Sequence, residues 1–312
     1  MVKKRAGRNE RYFEMTHHFD SGFRSRKKKP KLQAFLAVLI CLLAVGGFFW
    51  KSGAIRQNQV ETMLHPKVTD KRSEEQARED FDKQLQKIFE EEVTDDTLTL
   101  NYTLKRPEDY GISEKEPTLG SFSLEGLRES LIVSENRIAM LETFDFEKLN
   151  TEQQLLYDII YKMSKQNLTA ADFLEYSEVL SPTSGIQAQL PVFFAEYHFY
   201  QKEDVEKYIA LLEKVPDYFR DILTFEKAKS KKGIFMSDIT AQAIIEQCED
   251  FIKEPEKNYM ISVFQKKLSE LHEASEKEKK EWMKKNETAV KKSVIPAYKE
   301  LIKGLKALKG TG

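Results

Sequence analysis

Apolar positions along this chain follow different rhythms in different segments. From Leu32 to Trp50 they form an unbroken run, LQAFLAVLICLLAVGGFFW, in which Gln33 is the single polar residue. As a helix this run rises about 28 Å, enough to cross a bilayer core. Basic residues precede it in RSRKKKPK (Arg24 to Lys31), and Phe48, Phe49 and Trp50 close it with an interfacial aromatic group. The pattern predicts a basic cytoplasmic head over 1–31, a transmembrane helix over 32–50, a polar tether over 51–72 and a helical domain over 73–312. Positive-inside bias then places the protein in the cell membrane as a single-pass chain, N-terminus cytoplasmic and main domain extracytoplasmic. The long polar leader and bulky exit argue against a cleaved signal peptide, and Leu39 and Ile40 ahead of Cys41 argue against a lipidated cysteine.

Beyond the tether the rhythm becomes helical. Phe81, Leu85, Ile88, Phe89 and Val93 make one apolar stripe. Thr97 to Leu104, TLTLNYTL, alternates instead, which predicts a strand or extended piece, and Pro107 and Gly111 mark a turn after it. Helices are then expected over 123–142, from an Asn150-Thr151 cap paired with Gln154, over 169–179, from Pro191 onward, over 203–214 ending before Pro216, and over 217–231 closed by Gly233. Further helices follow from a Ser237 cap over 238–253, over 259–272, over the charged run 275–292, and over 290–308 with a kink or restart at Pro296. The fold class is mainly α: one N-terminal transmembrane helix, then a large extracytoplasmic bundle of about nine to eleven helices with at most a short extended element.

Charge sharpens this division. Residues 1–50 hold eleven Lys/Arg against three Asp/Glu, while the chain as a whole has a net charge of -1, so the body is acidic. An acidic body does not suit a nucleic-acid partner, and the basic head serves orientation beside a lipid bilayer. Cys41 and Cys248 are the only cysteines and fall on opposite sides of the predicted boundary, so no intrachain disulfide is expected. Asn101, Asn167 and Asn286 head Asn-x-Thr sequons.

Catalytic templates are absent. The chain has no Gly-rich phosphate loop, Gly-x-Ser-x-Gly elbow or Cys-x-x-Cys pair. Only His198 and His272 fall in the body, and His272-Glu273 lacks a second histidine four residues on. No catalytic residue and no metal ligand is assigned. Glu196 beside His198, and Glu203-Asp204, read as solvated surface charge.

Four stretches taken in order resemble the DUF885 family of bacterial proteins: TLNYTLKRPEDYGI (99–112), SPTSGIQAQLPVFFAEYHF (181–199), DVEKYIALLEKVPDYFRDILTFEKAKSKKGIFMSD (204–238) and VIPAYKELIKGLKALKGTG (294–312). Members of that family resemble helical zinc peptidases of the carboxypeptidase Taq and thimet-like class, with a His-Glu and Pro-Gly-His motif in a C-terminal half. This sequence lacks that motif. The resemblance therefore implies an N-terminal, substrate-side lobe, truncated before its metal half and inactive alone, with zinc expected only where a separately encoded C-terminal half is present. The alternative is a non-catalytic extracytoplasmic helical protein that binds peptides or acts as a scaffold. In the second stretch the aromatics Phe193, Phe194, Tyr197 and Phe199 are expected in the core. Ser184, Gly185, Gln187 and Gln189 are the candidates for lining a peptide groove, because glycine allows close backbone approach and amides pair with peptide groups.

Overall fold

In a computed structural model, residues 65, 68–113 and 115–312 are described; they form ten α-helices joined by short 3-10 turns, with no strand among them. The basic head and the apolar run 32–50 lie outside the described residues. Among the described residues no helix is long and apolar enough to cross a membrane.

Helix α1 (Glu74–Val93) begins where the Ser73 hydroxyl accepts the Gln76 backbone N–H, and its buried face repeats every fourth residue: Ala77, Phe81, Leu85, Phe89 and Val93. The alternating stretch that predicted a strand is instead helix α2 (Thr97–Thr103). Asp96 caps it through the Thr99 N–H and hydroxyl. Tyr102 stands 59% exposed while Asn101 is buried, so the apolar alternation does not correspond to an inside and an outside face. Helices α3 (Leu124–Leu141) and α4 (Thr151–Thr169) form a hairpin. The α4 capping box pairs Asn150 with Gln153 rather than Gln154, whose amide bonds the Phe146 carbonyl instead. The predicted helix over 169–179 is a 3-10 turn, Ala171–Tyr176.

Two prolines expected at helix ends sit inside helices. Pro191 lies within α5 (Ile186–Glu196) and Pro216 within α6 (Lys202–Lys231), so 203–214 and 217–231 are one helix. An interior proline costs about 3 kcal/mol. The buried face of α6 runs through it without a phase break, from Tyr208, Leu211, Leu212 and Val215 to Phe219, Ile222 and Leu223. Each such side chain contributes about 1.5–3 kcal/mol on burial, which outweighs the lost bond. Gly233 ends α6 with φ of 71°, and the Ile234 N–H returns to the Lys229 carbonyl.

Four helices follow, α7 (Asp238–Ile252), α8 (Tyr259–Glu270), α9 (Glu276–Ala289) and α10 (Ile295–Leu308); α9 and α10 pack along α6, α7 packs on α10, and α8 packs on α9 and α5. Between α9 and α10, residues Val290–Val294 form a π turn, and α10 restarts with Pro296 in its first turn. The Ile295 N–H reaches back to the Val290 carbonyl, and Pro296 has no N–H to offer the next carbonyl along. The last helices run parallel to α6. Trp282 on α9 donates to Glu206, the Tyr298 and Phe219 rings meet edge-on at 4.9 Å, and Gly304 on α10 lies under Leu223, where a Cβ would come within 2.4 Å of a leucine methyl. The charged run over α9 is largely exposed, although Trp282 and Asn286 are buried.

Candidate functional site

The stretch 181–199 is a tight loop followed by α5. The loop closes on itself: the Gly185 N–H bonds the Ser181 carbonyl at 3.1 Å and the Ile186 N–H bonds Val179 at 2.9 Å. The Ser184 N–H and hydroxyl both approach the Ser181 hydroxyl, at 3.3 and 3.2 Å. Helix α7 fastens it from the side. The Gln187 amide donates to the Ser181 carbonyl at 2.6 Å and to the Gln247 side-chain oxygen at 3.1 Å, while the Gln247 amide donates to the Pro182 carbonyl. From α10, the Tyr298 hydroxyl donates to the Gln187 carbonyl at 2.6 Å. Burial pushes the Tyr298 phenol far above its ordinary range, so it serves as a fixed donor.

Gly185 is required by close approach rather than by its dihedrals, since its φ is -67°. A Cβ there would lie 2.1 Å from both the Ser181 nitrogen and the Gln187 side-chain oxygen. Of the four candidates, Gly185 and Gln187 are therefore enclosed, and Gln187 is 3% exposed. Ser184 and Gln189 are half-buried. Gln187 and Gln189 lie two positions apart on α5, about 200° around the helix, so they face different sides. The structure brings Ser184, Gly185 and Gln187 together and sets Gln189 apart.

Beneath the start of this loop lies a buried ion pair on α6. The Lys229 ammonium bonds Glu226 at 3.3 Å and the Ser177 carbonyl at 3.2 Å, with side chains 6% and 0% exposed. The second Glu226 carboxylate oxygen has no protein partner. Burial raises the Glu226 pKa, and the nearby Lys229 charge opposes that shift without cancelling it.

At the far end of α5, Phe194 and Tyr197 are core residues as expected and Phe199 packs against the core, whereas Phe193 is 44% exposed. Asn101 clamps the backbone of His198, accepting its N–H at 2.7 Å and donating to its carbonyl at 2.9 Å. The His198 ring stacks on Tyr200, and packing together with the Lys267 charge holds its pKa below the ordinary value. Lys267 is lowered by burial, with the Glu196 charge working against that shift. The end of α5 thus collects titratable groups without a donor set for a metal. Among the described residues no three His, Cys, Asp or Glu side chains gather closely enough to hold one. His65 is committed to Asp158 at 2.6 Å and stacked on Phe146.

Sequence reasoning missed Gln247, Asn101 and the Glu226–Lys229 pair. Only Asn101 carried a signal, a polar residue inside an apolar alternation.

Residues 107–311 match a family described as "Bacterial protein of unknown function (DUF885)". The chain belongs to the DUF885 family. Among solved structures, the DUF885 fold seen here is similar to a crystal structure described as "the putative lipoprotein from Colwellia psychrerythraea", with a TM-score of 0.64 and 14% identity. The similarity covers 76% of this chain and 42% of that one, so this chain spans about two fifths of that neighbour's length. No curated protein matches the sequence.

Proposed function

We propose that this chain is the ligand-side helical lobe of a membrane-anchored DUF885 protein, binding peptides without cleaving them. Residues 32–50 serve as the anchor in the lipid bilayer, with the helical domain on the extracytoplasmic side. The loop 181–185 carries this reading. It is fixed in advance by bonds from α5, α7 and α10, so presenting its half-buried Ser184 to an extended backbone costs little ordering entropy. Gln189 adds a half-buried amide on a neighbouring face, and Gly185 and Gln187 hold the loop's shape. No cleavage chemistry is proposed for the described residues, among which no three His, Cys, Asp or Glu side chains gather closely enough to hold a metal.

The full chain in nanodiscs, offered a library of short unmodified peptides without metal, is expected to bind a subset and leave them intact. Stoichiometric zinc binding at sub-micromolar affinity by the chain alone, or peptide cleavage that a chelator stops, overturns this reading. The scaffold alternative predicts no peptide binding and a stable complex with another protein.

A further inference from the structure

The 3-10 turn after α4, Ala171–Tyr176, carries Phe173 and Tyr176. They are 61% and 62% exposed, more than any other Phe, Tyr or Trp among the described residues. They also stand together, with ring centroids 6.0 Å apart and planes at 62°. Their three-residue spacing puts both on one side of the turn. Two aromatic faces thus meet in a corner open to solvent.

The turn is fastened to α6. Lys232 bonds the Glu175 carboxylate at 2.6 Å, and Lys229 donates to the Ser177 carbonyl at 3.2 Å, just past the turn. These bonds also settle the local charge. The two α6 cations that face the turn, Lys229 and Lys232, are neutralised by Glu226 and Glu175. Lys227 and Lys231 lie two positions either side of Lys229, about 200° around the helix, and point elsewhere. Asp172 and Glu178 bracket the aromatic pair in sequence; both are exposed, and neither has a salt-bridge partner among the described residues. Helix α3, which also packs on the turn, brings Glu125 and Glu129 against Arg128. The surroundings of the corner are therefore acidic.

We infer that the Phe173–Tyr176 corner is a docking point for an arginine side chain of a polypeptide partner. The negative faces of the rings attract a cation, and a planar guanidinium stacks on them where a compact ammonium cannot. Asp172 and Glu178 supply the countercharge. An apolar side chain would leave both carboxylates unused, and an acidic one is repelled. The corner is separate from the loop 181–185, so its occupancy requires neither Ser184 nor Gln189.

Acetyl-Gly-Arg-Gly-amide is the probe, titrated at low salt into the full chain in nanodiscs of neutral lipid, with empty discs as reference and binding followed by ligand-observed NMR. Saturable binding with a Kd of about 1–10 mM is expected. The citrulline tripeptide, of the same shape without the charge, should bind at least about threefold more weakly, and so should the leucine tripeptide. Phe173→Leu and Tyr176→Leu should each weaken the arginine peptide about two- to fivefold, and Asp172→Asn about twofold. Tyr102→Leu, which removes a ring 59% exposed on α2, should leave it unchanged. All four side chains are exposed, so the variants should keep the wild-type helical spectrum and melting point. No binding above empty discs at about 50 mM overturns the docking point. Equal binding of the citrulline peptide, or tighter binding of the leucine peptide, overturns the arginine assignment. A loss in Tyr102→Leu as large as that in Tyr176→Leu overturns the location.

Discussion

Replacing Lys229 by Met should destabilise the domain far more than replacing Glu226 by Gln. At 3.3 Å the pair attracts by about 5 kcal/mol at an effective dielectric constant of 20. Desolvation costs several kcal/mol for each ion, so the pair is at best neutral overall. The raised Glu226 pKa has the same origin, since burial dominates its shift. Removing Lys229 strands a carboxylate that is 0% exposed, and losing one partner of a buried pair costs about 3–5 kcal/mol. For a domain of this size that lowers the melting temperature by roughly 10 °C. Glu226→Gln removes the buried negative charge but keeps the shape, and its effect should depend on pH. With a folded-state pKa above the unfolded one, Glu226 contributes stability that is full below the ordinary carboxylate range and lost as pH rises through the raised value. The variant should therefore gain on the wild type as pH rises from about 5 to about 8. Thermal melts followed by circular dichroism at those two pH values test both points. The reasoning fails if Lys229→Met melts within about 2 °C of wild type, or if the gap between Glu226→Gln and wild type does not change with pH.

Gly185→Ala should cost about 1–3 kcal/mol, because its Cβ would displace the Ser181 backbone; urea midpoints at unchanged slope measure this, and a neutral result would show that the loop yields freely. Burial pushes the Cys248 thiol up to about 12, so in a Cys41→Ser background it should resist a thiol reagent at pH 8 and react once urea unfolds the chain. Rapid labelling of the folded protein would contradict that environment.

The features legible in the sequence are those set by local chemistry. Asn150 and Ser237 cap helices because a side-chain oxygen can satisfy a free N–H a few residues on, and the Gly233 stop follows from its left-handed backbone. The misreadings came where tertiary burial overrode local preference. Pro216 looked like a terminus until the uninterrupted apolar face of α6 carried the helix through it, and TLTLNYTL alternated for reasons unrelated to a sheet. At the candidate site the residue types were visible but their directions were not. Gln187 and Gln189 look equivalent in a string, whereas partners sixty or more positions away, Gln247 and Tyr298, decide that Gln187 is spent on internal bonding.

The π turn at Val290–Val294 also sets the rotational phase of the end of the domain. It accommodates one residue more than a regular turn, so the helix beyond it keeps the phase that sets its apolar stripe against α6. Were the same residues wound as an ordinary helix instead, everything beyond would be rotated by about 100°. Tyr298, Leu301 and Leu305 would swing out of the core, and Gly304 would leave Leu223. The wide turn therefore absorbs a residue that an ordinary helix could hold only by turning its apolar stripe away from α6.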